Sequence, residues 1–189
     1  MNRLKITSIS KTVETAKQLA SSNLENLSVT LTDERFGSIG HADENWQQFL
    51  DNGFTLPGAT LYRPLIDKDR QTTTHAFALW LETQITESDY TIGLFGIGGD
   101  GHTAGVKPHS SAVDAQTWAT DFTGDDFERI TMTPRAISQL DEAIIQASGV
   151  DKVPTLTALL HSVVDIEEQP AQVLKSVPVC TLYTDNKEL

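Results

Sequence analysis

Cysteine is almost missing from this 189-residue chain, in which Cys180 stands alone. No intrachain disulfide and no multi-thiolate metal site is therefore possible. Cys180 falls within "VPVCTLY", an apolar strand-like run where a buried, inert thiol is expected. Basic residues are scarce too: 14 Lys and Arg stand against 26 Asp and Glu, for a formal net charge of −12. That balance argues against general binding to nucleic acid or to anionic membrane surfaces. An anionic small molecule would need a local cluster of Arg and Lys. Long apolar runs are missing as well, since none approaches the ~20 residues that span a bilayer. The opening "MNRLKITSIS" has no apolar signal-peptide core. A cytoplasmic protein is expected.

What is present is an ordinary globular balance, 39% apolar and 21% charged, enough for a sizeable core. One domain over residues 1–189 is the expectation, with monomer and dimer both open. Short β-rich runs read as strands: "LKITSI" (4–9), "LSVTLT" (27–32), "YTIGLF" (90–95), "RITMT" (129–133), "EAIIQAS" (142–148) and "VPVCTLY" (177–183). Helical spacing appears between them at 12–24, 42–51, 72–85 and 153–164, the last with Pro154 in a first turn. In 72–85, Phe77, Trp80 and Leu81 share one face. Strands alternating with helices predict an α/β fold with a mostly parallel sheet flanked by helices.

In such sheets ligands bind beyond the C-terminal ends of the strands. Asp33-Glu34-Arg35 follows "LSVTLT", while Asp100 and His102 follow "YTIGLF". Arg129 opens "RITMT", and Lys152 follows "EAIIQAS". Carboxylates, an imidazole and cations are thus predicted to meet on one rim. Taken singly, each also reads as a cap, a solvated charge or a structural ion-pair partner.

The loop "FGIGGDGHTAG" (95–105) contains G-x-G-x-x-G. A dinucleotide site would need a long helix after the third glycine. Here Gly105 and Pro108 follow too soon, and Asp100 would repel a pyrophosphate. Asp100 and His102 with His41 or His109 would make a poor metal site, because no third ligand is evident. Acid–base chemistry fits better: glycines allow a sharp turn, and a carboxylate beside an imidazole can orient and support it. Spacing alone leaves a structural histidine satisfied by the backbone as the alternative.

"GIGGDGHTAGVKP" resembles the G-x-G-x-D-G-H-T-A-S-L-F-P signature of 6-phosphogluconolactonases, a family that shares its fold with glucosamine-6-phosphate deaminases. "LTDERFGSIGHADENW", "RITMTPRAI", "ASGVDKVPTLTALL" and "QPAQVLKSVPVCTLYTD" resemble further segments of that family in the same order. The resemblance runs from about residue 4 to 185. Deaminases continue D-G-H-I-A-F-N-E-P, whereas Lys107 stands here at the glutamate position and Thr103-Ala104 is lactonase-like. One departure is plain: the family's G-G-S-T-P phosphate loop is matched by the glycine-free "TSISKTVE".

The resemblance implies a Rossmann-like sugar-phosphate isomerase fold and hydrolysis of a phosphorylated sugar lactone, with neither metal nor cofactor. It implies His102 as general base, Asp100 as its orienting partner and Asp33 as an acid facing the sugar hydroxyls. Gly98 and Gly99 N–H groups, with Arg35, would stabilise the oxyanion. Arg129 and Lys152 would hold the phosphate, and Asn45 and Ser10 would complete substrate binding. The implied alternatives are a non-catalytic sugar-phosphate binder and an amino-sugar-phosphate deaminase or isomerase.

Overall fold

The computed structural model describes residues 4–7, 26–187 and 189. The helix expected at 12–24 and the substrate contact expected of Ser10 lie outside the described residues. Six strands form one sheet: β1 (Leu4–Thr7), β2 (Ser28–Thr30), β4 (Thr60–Leu61), β5 (Tyr90–Phe95), β8 (Glu142–Gln146) and β9 (Val179–Tyr183). Their order is β4-β2-β1-β5-β8-β9, and every pairing is parallel. Strand order reverses between β1 and β5, the topological switch point where such sheets open a ligand crevice.

A second, antiparallel sheet has the order β3-β7-β6. It comprises β3 (Asp33–Arg35), β6 (Ala119–Thr123) and β7 (Glu128–Met132). Two expectations change here. Asp33-Glu34-Arg35 is a strand and not a loop, because it pairs with β7 in the register Asp33–Thr131, Glu34–Ile130, Arg35–Arg129. The "RITMT" run belongs to this sheet, outside the parallel one.

The longest helix, α2 (Arg70–Glu87), follows α1 (Asn45–Asp51). Asp69 caps α2 by accepting from the Thr72 N–H at 2.9 Å. Its buried face is Thr73, Thr74, Phe77, Leu81 and Ile85, a helical period. Trp80, expected on that face, is only partly buried and stacks on Tyr62 at 4.6 Å between centroids. The short α3 (Pro134–Ile137) precedes β8, and α4 (Val153–His161) follows a 3-10 turn at Val150–Lys152. α4 carries Pro154 in its first turn, as expected, and buries Leu156 and Leu159.

Phe77, Leu81, Phe95, Ile130, Met132 and Ile145 belong to one apolar cluster that fills the space between the two sheets and α2. Cys180 departs from expectation: it is exposed, and among the described residues β9 is an edge strand with one side open.

Candidate active site

The glycine loop leaves β5 and turns at once. Gly98 N–H donates to the His102 carbonyl at 2.9 Å, and Gly101 N–H donates to the Gly98 carbonyl at 3.0 Å. Gly101 adopts φ +87°, which a side chain at that position would oppose. Gly98 is required by close approach: a Cβ there would lie 2.1 Å from Nδ1 of His102 and 2.4 Å from Oδ1 of Asp100. The turn therefore folds Asp100 and His102 back over a bare Cα.

The result is a tight pair. Asp100 Oδ1 lies 2.6 Å from His102 Nδ1 and also accepts the His102 N–H at 3.1 Å. Burial works against the Asp100 charge, but the His102 N–H, the ring's charge and the ring hydrogen bond hold the carboxyl below its usual range. An ionised Asp100 fixes the proton on Nδ1 and leaves the lone pair on Nε2. Nε2 is then the basic nitrogen.

His102 lines a cleft of about 420 Å³ together with Asp33, Gly98, Gln146, Ser148 and Lys152. Asp33 reaches it from β3 and is largely withdrawn from solvent. Burial raises its pKa, against the opposing pull of Arg129, His102, Thr32 and Arg35. Gly105 permits this approach, since a Cβ there would meet Asp33 Cβ at 3.0 Å. The Gly105 N–H donates to Thr131 Oγ1 at 3.0 Å, tying the loop to β7.

The cations gather next to Asp33. Arg129 Nη1 lies 3.7 Å from Asp33 Oδ2, and its Nη2 lies 2.7 Å from Asp126 Oδ2. Asp126 also accepts from Lys107 Nζ at 3.2 Å, so the lysine that replaces the deaminase glutamate is held in an ion pair. Arg35 packs over the Phe127 ring and donates from Nη1 to the Asp43 carbonyl at 3.1 Å. Both Arg35 Nε and Arg129 Nε are buried without a hydrogen-bond partner among the described residues. Unpaired buried donors of this kind are costly.

Several residues sit differently from expectation. Gly98 does not offer its N–H to an oxyanion, because that N–H is already donated to His102. Gly99 makes no N–H hydrogen bond among the described residues. Asn45 directs its side-chain amide to the Asp33 carbonyl at 3.3 Å, so it braces β3 and does not face the cleft. Its own N–H, with those of Arg35 and Trp46, is taken by the Glu34 carboxylate at 2.6–2.9 Å. Burial pushes Glu34 up to about 8 even though those three N–H groups pull the other way. Sequence reading missed this internal cap of α1, and it missed Gln146 and Ser148 in the cleft. The signal for the latter two was their place at the end of β8.

Among the described residues, no three His, Cys, Asp or Glu side chains converge as metal ligands. No helix among them is long and apolar enough to cross a membrane.

The family model described as glucosamine-6-phosphate isomerases/6-phosphogluconolactonase matches residues 6–182. A 6-phosphogluconolactonase of Borreliella burgdorferi is 27% identical over 169 residues, 83% of this chain and 71% of that protein. One from Synechocystis is 25% identical over 162 residues, 80% of this chain and 67% of that protein. The crystal structure of a 6-phosphogluconolactonase from Shewanella baltica superposes with a TM-score of 0.80 at 17% identity, covering 97% of this chain and 83% of the other.

Proposed function

The chain belongs to the glucosamine-6-phosphate isomerase/6-phosphogluconolactonase family, and from that premise we propose that it hydrolyses 6-phosphoglucono-δ-lactone to 6-phosphogluconate. The observation that carries this reading is the Asp100–His102 pair, 2.6 Å apart, with His102 and Asp33 lining one cleft.

His102 Nε2 takes a proton from water as its oxygen bonds to the lactone carbonyl carbon. The carbonyl electrons move to oxygen, and the Gly99 N–H stabilises that oxyanion. As the tetrahedral intermediate collapses, the bond to the ring oxygen breaks and the imidazolium returns its proton to that oxygen. The free acid then ionises. General-base assistance of this kind is worth ~10²–10⁴-fold. Asp100 stabilises the imidazolium, and Asp33 receives sugar hydroxyls. Arg129 and Lys152 take the phosphate, with Arg35 adding charge beside Arg129. A guanidinium suits a phosphate because its donors are planar and paired.

Consumption of the lactone, corrected for spontaneous hydrolysis, tests the proposal directly. Ammonia release from glucosamine 6-phosphate is the control. Ammonia without lactone consumption would assign the chain to the deaminase side of the family. Stabilisation by 6-phosphogluconate without turnover would make it a binder.

A further inference from the structure

The carbonyls of the glycine loop are held in different ways. The Gly98 carbonyl accepts from the Gly101 N–H, and the Gly101 carbonyl accepts from the Ala171 N–H at 3.0 Å. The Gly99 carbonyl is held by a side chain: Thr155 Oγ1 donates to it at 2.6 Å from the first turn of α4. A single substitution can release this contact and leave the backbone bonds in place.

The contact bears on the acid–base pair through peptide geometry. The Gly99 carbonyl and the Asp100 N–H share one planar unit, so anchoring that oxygen fixes the plane from which the Asp100 side chain departs. Gly98 and Gly99 precede Asp100 and Gly101 follows it, so intrinsic torsional resistance to swinging is low. Asp100 must nevertheless keep its carboxylate 2.6 Å from His102 Nδ1.

Thr155 is itself well seated. Its carbonyl accepts from Gln169 Nε2 at 2.8 Å, and Gln169 Oε1 accepts from Gln172 Nε2 at 2.6 Å. Gln169 also packs beneath the loop, with Cγ 2.8 Å from where a Gly101 Cβ would stand. Three residues earlier, Lys152 lines the cleft.

We infer that Thr155 is a positioning residue for the acid–base pair, acting through the Gly99–Asp100 peptide to hold Asp100 against His102. This rests on the lactonase reading, and it requires the hydroxyl and not the methyl group of the side chain.

The test compares Thr155→Val, Thr155→Ser, Asp100→Ala and the Thr155→Val/Asp100→Ala double variant. Thr155→Val lowers kcat by about tenfold or more, as small misplacements of catalytic groups do, with KM within about twofold. Thr155→Ser restores kcat. In the Asp100→Ala background the valine adds less than about twofold, because the contact it serves is gone. Equal losses in both backgrounds, or wild-type kcat in Thr155→Val, would overturn the inference.

Proton NMR in water supplies a readout independent of turnover. The low-field Nδ1–H of His102, identified by its loss in His102→Gln, broadens or disappears in Thr155→Val and persists in Thr155→Ser. An unchanged resonance in Thr155→Val overturns the inference. If the wild type fails to consume lactone, the functional reading falls, and this resonance decides the positioning role alone.

Discussion

Arg35 and Arg129 stand directly opposite each other in the β3–β7 pairing, and both guanidinium groups lie against the Phe127 ring, at 4.6 and 5.6 Å from its centroid. Like charges opposed across a sheet repel. Asp33 and Asp126 flank Arg129 and offset part of that repulsion, while both Nε donors stay unpaired among the described residues. A bound phosphate would relieve it.

Arg129→Ala is therefore expected to raise KM for the phosphorylated lactone roughly tenfold or more, the loss of a charge-assisted contact, with a smaller change in kcat. Thermal shift provides a second check. Millimolar 6-phosphogluconate raises the Tm of the wild type by mass action and raises that of Arg129→Ala much less. A kcat loss at constant KM would remove Arg129 from the phosphate.

His102→Ala is expected to lose ~10²-fold or more of kcat while its circular dichroism and Tm stay close to wild type. The side chain is substantially exposed, so little packing depends on it. Turnover at the wild-type rate would show that another group activates the water.

Gly98→Ala places a methyl group where the His102 ring and the Asp100 carboxylate now lie. The pair must separate to accommodate it. Activity should fall as far as in His102→Ala, and the low-field Nδ1–H resonance should vanish. A fully active Gly98→Ala would mean that the 2.6 Å contact is dispensable.

Glu34 gives a pH signature in stability. Its carboxyl is raised to about 8 in the fold, against about 4.3 in an unfolded chain. Between those values the native state binds more protons than the unfolded state, so stability declines as pH rises through that window. Urea unfolding at pH 5 and pH 8 should show the wild type losing stability relative to Glu34→Gln. An equal or opposite trend would mean that the three N–H donors keep Glu34 ionised throughout.

The parallel sheet and the glycine loop were legible because both are local patterns. "YTIGLF" is a strand on its own composition, and the residues after it must turn because glycines surround Asp100. β3 was not legible: three polar residues form a strand only because β7, almost a hundred residues later, supplies the partner. The burial of Glu34 was not legible for the same reason, since the N–H groups that draw it inward come mostly from α1. Cys180 sits in an apolar run, but burial depends on sheet order, and among the described residues β9 has a neighbour on one side only. Asn45 was expected at the substrate through the family resemblance. The hydrogen bond it makes in the fold, to the Asp33 carbonyl, depends on where β3 lies.

His102 and the two guanidinium groups belong to different sheets. His102 follows β5, while Arg35 and Arg129 sit on β3 and β7. Phe95, Ile130, Met132 and Ile145 pack between those sheets, so no loop alone sets the span from imidazole to guanidinium. That core sets the distance between the two. Ile130 and Met132 are wholly enclosed and meet no substrate, yet a methylene added or removed there shifts packing that yields little. The distance from imidazole to guanidinium would then change.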